Sequence, residues 1–296
     1  MNIVLGSKTD TGRKRSNNQD AMCSIVAPNT ARGVRALVAV ADGMGGHQGG
    51  EVASGLAIKG VFDHLGKNST VDLMGSGRSE SLAQIMHQIH EQVQSKSHTP
   101  ETAGMGTTLS IALIGDETVI VGHVGDSRIY RARNGQFTQL TEDHSWVAEE
   151  VRRGNLTPEE AAVHPRRNLI TQAIGVTPVI EPMVAEFDLA IGDKILLCSD
   201  GLHGLVTDED ILETIEGVSP SIAVETLVDK ANAAGGPDNV TVILANIVAS
   251  SDDSARSDVS EADTVCLTVR RRSLTVRLLR VLLKLPSSLI SRLRRK

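Results

Sequence analysis

Residues 34–46 read VRALVAVADGMGG, an almost unbroken apolar run that ends in Asp42-Gly43 and a glycine-rich stretch. A run this rich in β-branched residues is typical of a buried strand, and we predict one over 34–41. The glycines that follow let the backbone turn sharply and approach a ligand closely. The stretch therefore predicts a core strand with a carboxylate, Asp42, at its end.

Similar apolar runs lie on both sides of this one along the chain. Strands are predicted over 21–26, 107–114, 118–124, 129–131, 194–198 and 240–248. Helical spacing alternates with them, and helices are predicted over 50–65 and 79–95, with two more that start near Thr207 and Ser219. Connections as short as 115–117 and 134–135 are typical of hairpins, so we expect an α+β fold with mainly antiparallel sheets.

Composition and cysteine content exclude several classes of protein. With 296 residues, 40% apolar and 22% charged, the chain is long and apolar enough for a packed core. Aromatic residues make up only 2%, which excludes a surface that stacks the bases of single-stranded nucleic acid. Cys23, Cys198 and Cys266 form no C-x-x-C pair, which argues against disulfides and a zinc site and favours a reducing cytoplasm. No export leader or membrane span is expected.

Charge divides the chain into an acidic body and a basic tail. Residues 250–296 hold 11 Lys and Arg against 5 Asp and Glu, so the first 249 residues have a net charge of −12. Such a body repels nucleic acid and attracts metal cations. We predict a catalytic domain over 1–249, a polar linker over 250–269 and a basic amphipathic tail over 270–296.

Five aspartates stand at the ends of predicted strands, where neighbouring antiparallel strands could bring them to one rim: Asp20, Asp42, Asp126, Asp200 and Asp238. Each one alone is better explained as an ordinary turn or loop residue. Together, like charges at one rim require a cation, since otherwise they raise each other's pKa. An all-oxygen set suits Mg²⁺ or Mn²⁺ and does not suit Zn²⁺ or Cu²⁺.

Seven stretches, in order, resemble the metal-dependent serine/threonine protein phosphatases of type 2C, specifically their bacterial branch. They are RSNNQD at 15–20, VADGMGG at 40–46, GMGTT at 104–108, GHVGDSR at 122–128, LTEDHS at 140–145, SDG at 199–201 and GPDNVT at 236–241. The resemblance extends from about residue 3 to 248. It implies a four-layer α-β-β-α sandwich of two mainly antiparallel sheets flanked by helices, with a site for two Mg²⁺ or Mn²⁺ ions at one end.

The resemblance also implies a role for each residue that matches the family's motifs. Asp42 would bridge both ions, the Gly43 carbonyl would bind one, and Asp200 and Asp238 would complete the shell of the first ion. Asp20 would act on the second ion through water, and Asp126 would hold a weaker third ion. The ions would activate a water molecule for in-line attack on phosphorus, with no covalent phospho-enzyme.

The resemblance gives Arg15 the role of a phosphate ligand, because its planar fork can hold two phosphate oxygens. Without the resemblance, Arg15 is better explained as part of a solvated basic loop with Arg13 and Lys14. Met44 occupies the position at which eukaryotic members have a histidine, a proposed general acid. His47 is a candidate for that task, although a lone histidine in a glycine-rich loop is more often structural. Gln19 stands where some members have glutamate, which leaves the carboxylate count unchanged.

Three functions are compatible with these motifs: an active phosphatase that reverses serine/threonine kinase signalling, a phosphatase-like module that binds phosphoproteins without turnover, and a metal-dependent phosphohydrolase of small metabolites. Retention of Asp20, Asp42, Asp200 and Asp238 favours the first, with phosphorylated proteins as partners and a monomeric state. The charged segment 141–178 is predicted to be an irregular flap beside the cleft.

The tail has two interpretations of equal weight. Over 273–285, Arg277, Arg280 and Lys284 recur at helical spacing opposite a leucine-rich side, which predicts a basic amphipathic helix. Such a helix can contact an anionic membrane surface or a protein partner, which would place a cytoplasmic enzyme at the inner membrane face. Alternatively, it is a solvated extension or a helix docked on the acidic body.

Overall fold

Two antiparallel sheets form the centre of the computed structural model, which describes residues 1–45, 49–66, 77–97, 99 and 102–250 together with the backbone of 264–268. The first sheet has five strands in the order β1 (Asn2–Asp10), β11 (Val240–Val248), β10 (Lys194–Cys198), β7 (Arg128–Arg133) and β8 (Gln136–Gln139). The second has the order β12 (Thr264–Thr268), β2 (Asp20–Val26), β3 (Ala36–Met44), β5 (Leu109–Ile114), β6 (Thr118–Val124) and β9 (Met183–Asp188), and β4 (Gly106–Thr107) pairs with the end of β3.

Helices cover the outer face of each sheet. α1 (Gly49–Leu65) and α2 (Arg78–Gln94) pack on the second sheet, while α5 (Asp200–His203), α6 (Asp208–Ile215) and α7 (Pro220–Ala233) pack on the first. The segment 141–178 carries only the short helices α3 (Trp146–Arg152) and α4 (Pro158–Val163). The predicted α+β, four-layer α-β-β-α sandwich is confirmed.

The opening apolar run owes its composition to burial on both faces. Ala36, Val38 and Val40 belong to the core between the sheets, and Leu37 and Ala39 belong to the core beneath α1 and α2. Side chains of a strand alternate between the two faces, so a strand covered on both sides is apolar at every position. This is why 36–41 shows a continuous run instead of an alternation, whereas Arg35, which precedes the strand, is exposed.

Several boundaries differ from the sequence prediction. β3 extends to Met44, so Asp42 and Gly43 lie within the strand, and the predicted strand over 107–114 is interrupted at Thr108. Strands β1 and β9 were not predicted, because most of their side chains are only half-buried and show no clear alternation. The range predicted as a polar linker, 250–269, contains β12, which pairs with β2. Composition missed it because pairing at a sheet edge uses backbone groups.

Local signals for turns and helix ends agree with the structure. The hairpin between β7 and β8 has positive φ at Asn134 and Gly135, as tight hairpin turns require. Thr207 caps α6 by accepting a hydrogen bond from the Asp210 amide. Within the described residues, no helix is long and apolar enough to cross a membrane. His47 and the tail helix predicted over 273–285 lie outside the described residues.

Candidate metal centre

Asp20 joins the two sheets at the edge where the predicted site residues meet. It begins β2 and is 1% exposed. Its Oδ2 accepts hydrogen bonds from the hydroxyls of Ser199, at 2.8 Å, and Thr241, at 2.6 Å. Thr241 lies in β11 of the first sheet, and Ser199 directly follows β10 of the same sheet. Its Oδ1 is buried and has no hydrogen-bond partner among the described residues. The carboxylate is therefore held firmly by one oxygen while the other is available to a ligand.

Asp42 lies directly opposite Asp20 in the register of β2 and β3. Its amide donates to the Thr108 hydroxyl at 2.9 Å, and its carbonyl accepts from the Thr108 amide at 2.9 Å and from the Thr107 hydroxyl at 2.8 Å. The interruption between β4 and β5 thus clamps the Asp42 backbone. Because the amide and the carbonyl of Asp42 are both hydrogen-bonded, the backbone position from which its carboxylate extends is fixed.

Gly43 and Gly201 are required for close packing and not for a sharp turn. Neither has a positive φ. A Cβ on Gly43 would lie 2.1 Å from the Gly50 carbonyl oxygen, and a Cβ on Gly201 would lie 1.9 Å from the Asn239 carbonyl oxygen. The glycines that follow Asp42 and Asp200 therefore let another backbone segment approach the strand or helix that carries the carboxylate, which corrects the expectation of a turn at these two positions.

Asp200 and Asp238 approach the rim from the first sheet. Asp200 is the first residue of α5, with one residue between it and the end of β10, and its charge is among those that raise the pKa of Asp42. The Oδ1 of Asp200 is buried and accepts no hydrogen bond from any described residue. Asp238 precedes β11, and its Oδ2 accepts a hydrogen bond from Arg15 Nη2 at 2.7 Å. Arg15, with 52% of its side chain exposed, therefore lies at the edge of the carboxylate group.

Asp126 reaches the rim on the connection from β6 to β7, where the chain passes from the second sheet to the first. It is 8% exposed. The next residue, Ser127, shares a hydrogen bond of 2.8 Å with the Thr108 hydroxyl, the same hydroxyl that holds the Asp42 amide. The Asp126 turn and the Asp42 strand are therefore linked through one threonine.

Burial and mutual repulsion disfavour ionisation of four rim carboxyls. Burial is the largest cause of the raised pKa of Asp20, Asp42, Asp126 and Asp200, followed among the raising causes by the charges of neighbouring rim aspartates. The pKa values of Asp20 and Asp126 reach about 7. A bound cation would reverse this balance, because it stabilises the ionised form.

The oxygen atoms at the rim fit a hard divalent cation. Two buried carboxylate oxygens, one each on Asp20 and Asp200, have no partner among the described residues, and β3 places Asp42 opposite Asp20, with Gly43 as the next residue. In the part of the chain that the structure describes, no three His, Cys, Asp or Glu side chains close around a single point to form a finished ion site. The donors are all oxygens, as Mg²⁺ and Mn²⁺ prefer.

Comparison with known proteins gives the family. Residues 10–233 match the family model of protein phosphatase 2C, so the chain belongs to that family. The protein phosphatase PhpP of Streptococcus pneumoniae is 40% identical over 242 residues, which cover 81% of this chain and 95% of that protein. The serine/threonine protein phosphatase PstP of Mycobacterium tuberculosis is 39% identical over 254 residues, 84% of this chain and 46% of that protein.

Solved structures agree with this assignment. A serine/threonine phosphatase of S. agalactiae has a TM-score of 0.76 and 33% identity, over 83% of this chain and 99% of that one. The catalytic domain of PstP in complex with two manganese ions has a TM-score of 0.71 and 35% identity, again over 83% and 99%. The chain is a metal-dependent serine/threonine protein phosphatase, and its substrates are phosphoproteins.

The neutral residues that hold the Asp20 carboxylate and the backbone of Asp42 and Gln19 had no role in the sequence prediction. These are Ser199 and Thr241 on Asp20, Thr107 and Thr108 on Asp42, and Asn239, whose Oδ1 accepts the Gln19 amide at 2.8 Å. All of them lie inside the quoted motifs or directly after a rim aspartate. Their position in the motifs was a signal for them, but a hydroxyl's partner cannot be read from spacing.

Unfolding of the metal-free protein is expected to depend on pH in a direction opposite to that of a salt-bridged carboxylate. The pKa of Asp20 and Asp126 rises from an ordinary value of about 4 to about 7 in the folded chain. Between these values the folded state binds more protons, so its stability falls as pH rises through this window. In chelator, the unfolding temperature should be lower at pH 8 than at pH 5.5.

Saturating Mn²⁺ and the variant Asp20→Asn are the two controls for this measurement. Mn²⁺ should raise the unfolding temperature most at pH 8, where the carboxylates are ionised. Asp20→Asn should flatten the pH dependence in chelator, because it removes one of the groups that titrate. A metal-free unfolding temperature that rises steadily from pH 5.5 to pH 8 would contradict the expectation.

Proposed function

We propose that the enzyme hydrolyses phosphoserine and phosphothreonine with two divalent ions, Mn²⁺ or Mg²⁺, held by Asp20, Asp42, the Gly43 carbonyl, Asp200 and Asp238. The observation that carries this proposal is the pair of buried, unpartnered carboxylate oxygens on Asp20 and Asp200 at one rim. The two manganese ions in the PstP complex support the number of ions. We also propose that Asp126 holds a weaker third ion.

When bound, the ions would supply an activated water and neutralise charge on the phosphoryl group. The chain's own residues prepare for this in two ways. Ser199 and Thr241 fix the Asp20 carboxylate, and the Thr107-Thr108 pair fixes the Asp42 backbone, so the ligands need little reorganisation. Arg15 uses one nitrogen on Asp238 and has a planar fork with further donors for phosphoryl oxygens.

Arg15→Ala tests the phosphate site. Because Arg15 would contact the phosphate in the ground state and the transition state alike, the variant should raise KM for a phosphothreonine peptide by about tenfold, the scale of one charge-assisted hydrogen bond. The value of kcat should fall less. Arg13→Ala, which removes a neighbouring positive charge, is the matched control and should leave KM nearly unchanged. An unchanged KM in Arg15→Ala would return Arg15 to a solvated basic loop.

We propose a monomeric enzyme of the cytoplasm that reverses kinase signalling, and two features of the chain support the compartment and the monomeric state. Cys198 is a buried free thiol, which suits a reducing compartment. The strongly acidic body disfavours self-association and nucleic-acid binding.

The segment 141–178 pairs with the rim through a bridge between Ile174 and Thr107, which supports the proposal that this segment is a flap beside the cleft.

For the tail, 270–296, we propose contact with anionic membrane. Each basic side chain near such a surface contributes about 1 kcal/mol, so the basic residues of 270–296 suffice for reversible binding at moderate salt. Full-length protein should co-sediment with anionic vesicles, while a chain that ends at Val269, which keeps β12, should not. Equal binding by the two chains, or none by either, would leave the tail as a solvated extension or a site for a protein partner.

A further inference from the structure

Three histidine rings hold the turn that carries Asp126. His123 Nε2 lies 2.9 Å from the Gly125 carbonyl oxygen, His144 Nδ1 accepts the Gly125 amide at 3.2 Å, and His203 Nε2 lies 3.0 Å from the Asp126 carbonyl oxygen. A carbonyl oxygen can only accept, so His123 and His203 donate through Nε2. The proposed function uses none of these rings.

His203 differs from the other two by its place in the fold. It ends α5, the single-turn helix that begins with Asp200. His123 lies in β6, just before the connection that carries Asp126, and His144 lies near the start of the segment 141–178. Of the three rings, His203 alone ties the Asp126 turn to the helix that carries a second rim carboxylate.

The two carboxylates that this bond brings together repel each other. Burial, followed by the charge of Asp200, raises the pKa of Asp126. The His203 ring donates to the backbone carbonyl of Asp126 and not to its carboxylate, so the hydrogen bond leaves the carboxylate oxygens available. The contact therefore opposes separation of the two aspartates through geometry.

We propose that His203 is a positioning residue, whose hydrogen bond to the Asp126 carbonyl holds Asp126 against the Asp200 helix so that both carboxylates face one ion. This inference rests on the proposed ion site. In this role His203 affects the affinity for the weakest ion and does not take part in the chemical step. The competing explanation is that the ring only fills space behind the rim.

Two substitutions separate the explanations. In His203→Gln the side-chain amide reaches about as far as Nε2 and can still donate, whereas His203→Leu fills similar space and cannot donate. Should His203→Leu fail to fold, His203→Asn replaces it, because the shorter amide falls short of the carbonyl. His90→Leu is the matched control, since His90 is also a buried ring, bonded at 3.1 Å to the Gly175 amide and to no rim residue.

The experiment measures Mn²⁺ binding to the full-length chain by electron paramagnetic resonance of free Mn²⁺, alongside p-nitrophenyl phosphate turnover against Mn²⁺ concentration. His203→Leu should weaken the weakest Mn²⁺ site by about tenfold, the lower end for loss of a group that orients a metal ligand. Turnover should recover at high Mn²⁺. His203→Gln should stay close to wild type, and His90→Leu should lower the unfolding temperature without changing Mn²⁺ affinity.

Equal weakening in His203→Leu and His203→Gln, or none in either, would overturn the positioning role while the wild-type chain still bound two or more ions. A wild-type chain that bound no Mn²⁺ would overturn the proposed ion site itself. The two failures are therefore distinguishable in one titration.

Discussion

Asp200→Asn is expected to lower kcat for p-nitrophenyl phosphate by about 100-fold or more, the scale of losing one preorganised electrostatic group. The substitution preserves shape but removes the charge of a carboxyl whose buried Oδ1 has no described partner. The Asn side-chain amide has two possible orientations. One would place its NH₂ group among the acidic neighbours, and the other would turn its oxygen away from Asp42. Asp42→Asn should behave similarly.

The fold should survive these substitutions, because each removes repulsion from an acidic rim. Unfolding temperature in chelator should stay the same or rise, since a neutral amide removes the charge repulsion by which Asp200 raises the pKa of Asp42. Asp229→Asn on the exposed face of α7 is the matched control for loss of one negative charge, and it should keep wild-type turnover. Wild-type kcat in either Asp200→Asn or Asp42→Asn would show that the residue assignment is misplaced.

Removal of divalent metal should abolish turnover altogether. Without cations, the acidic rim has no positive charge to lower the pKa of a water molecule or to neutralise the phosphoryl group, and its carboxylates repel the phosphate. After dialysis against chelator, hydrolysis of p-nitrophenyl phosphate should fall to background and return on addition of Mn²⁺ or Mg²⁺.

Chelator saturated with Mn²⁺ before addition is the control for direct effects of the chelator on the protein. It should leave turnover unchanged. Undiminished hydrolysis in excess free chelator after dialysis would contradict the two-ion proposal. If Mn²⁺ restored turnover and Mg²⁺ did not, the proposed site would stand and its metal would be identified as Mn²⁺.

Much of the fold could be predicted because its local signals agree with its tertiary environment. The strand is buried on both faces over 36–41, so its continuous apolar run is an unambiguous signal. The turn at Asn134-Gly135 needs positive φ at both residues, and its sequence supplies residues that tolerate it. The edge strands β1 and β9 could not be predicted, because their half-buried side chains carry a weak pattern.

The sequence by itself determined the family, the acidic character of the body and the identity of the rim carboxylates, because ordered motifs and charge counts do not depend on packing. Tertiary structure alone decided how those carboxylates are held. Thr241 bonds Asp20 across a separation of 221 residues, and His203 bonds Asp126 across 77. Spacing along a chain reports local conformation and burial, whereas these contacts depend on how two sheets and their connections come together, which no local pattern encodes.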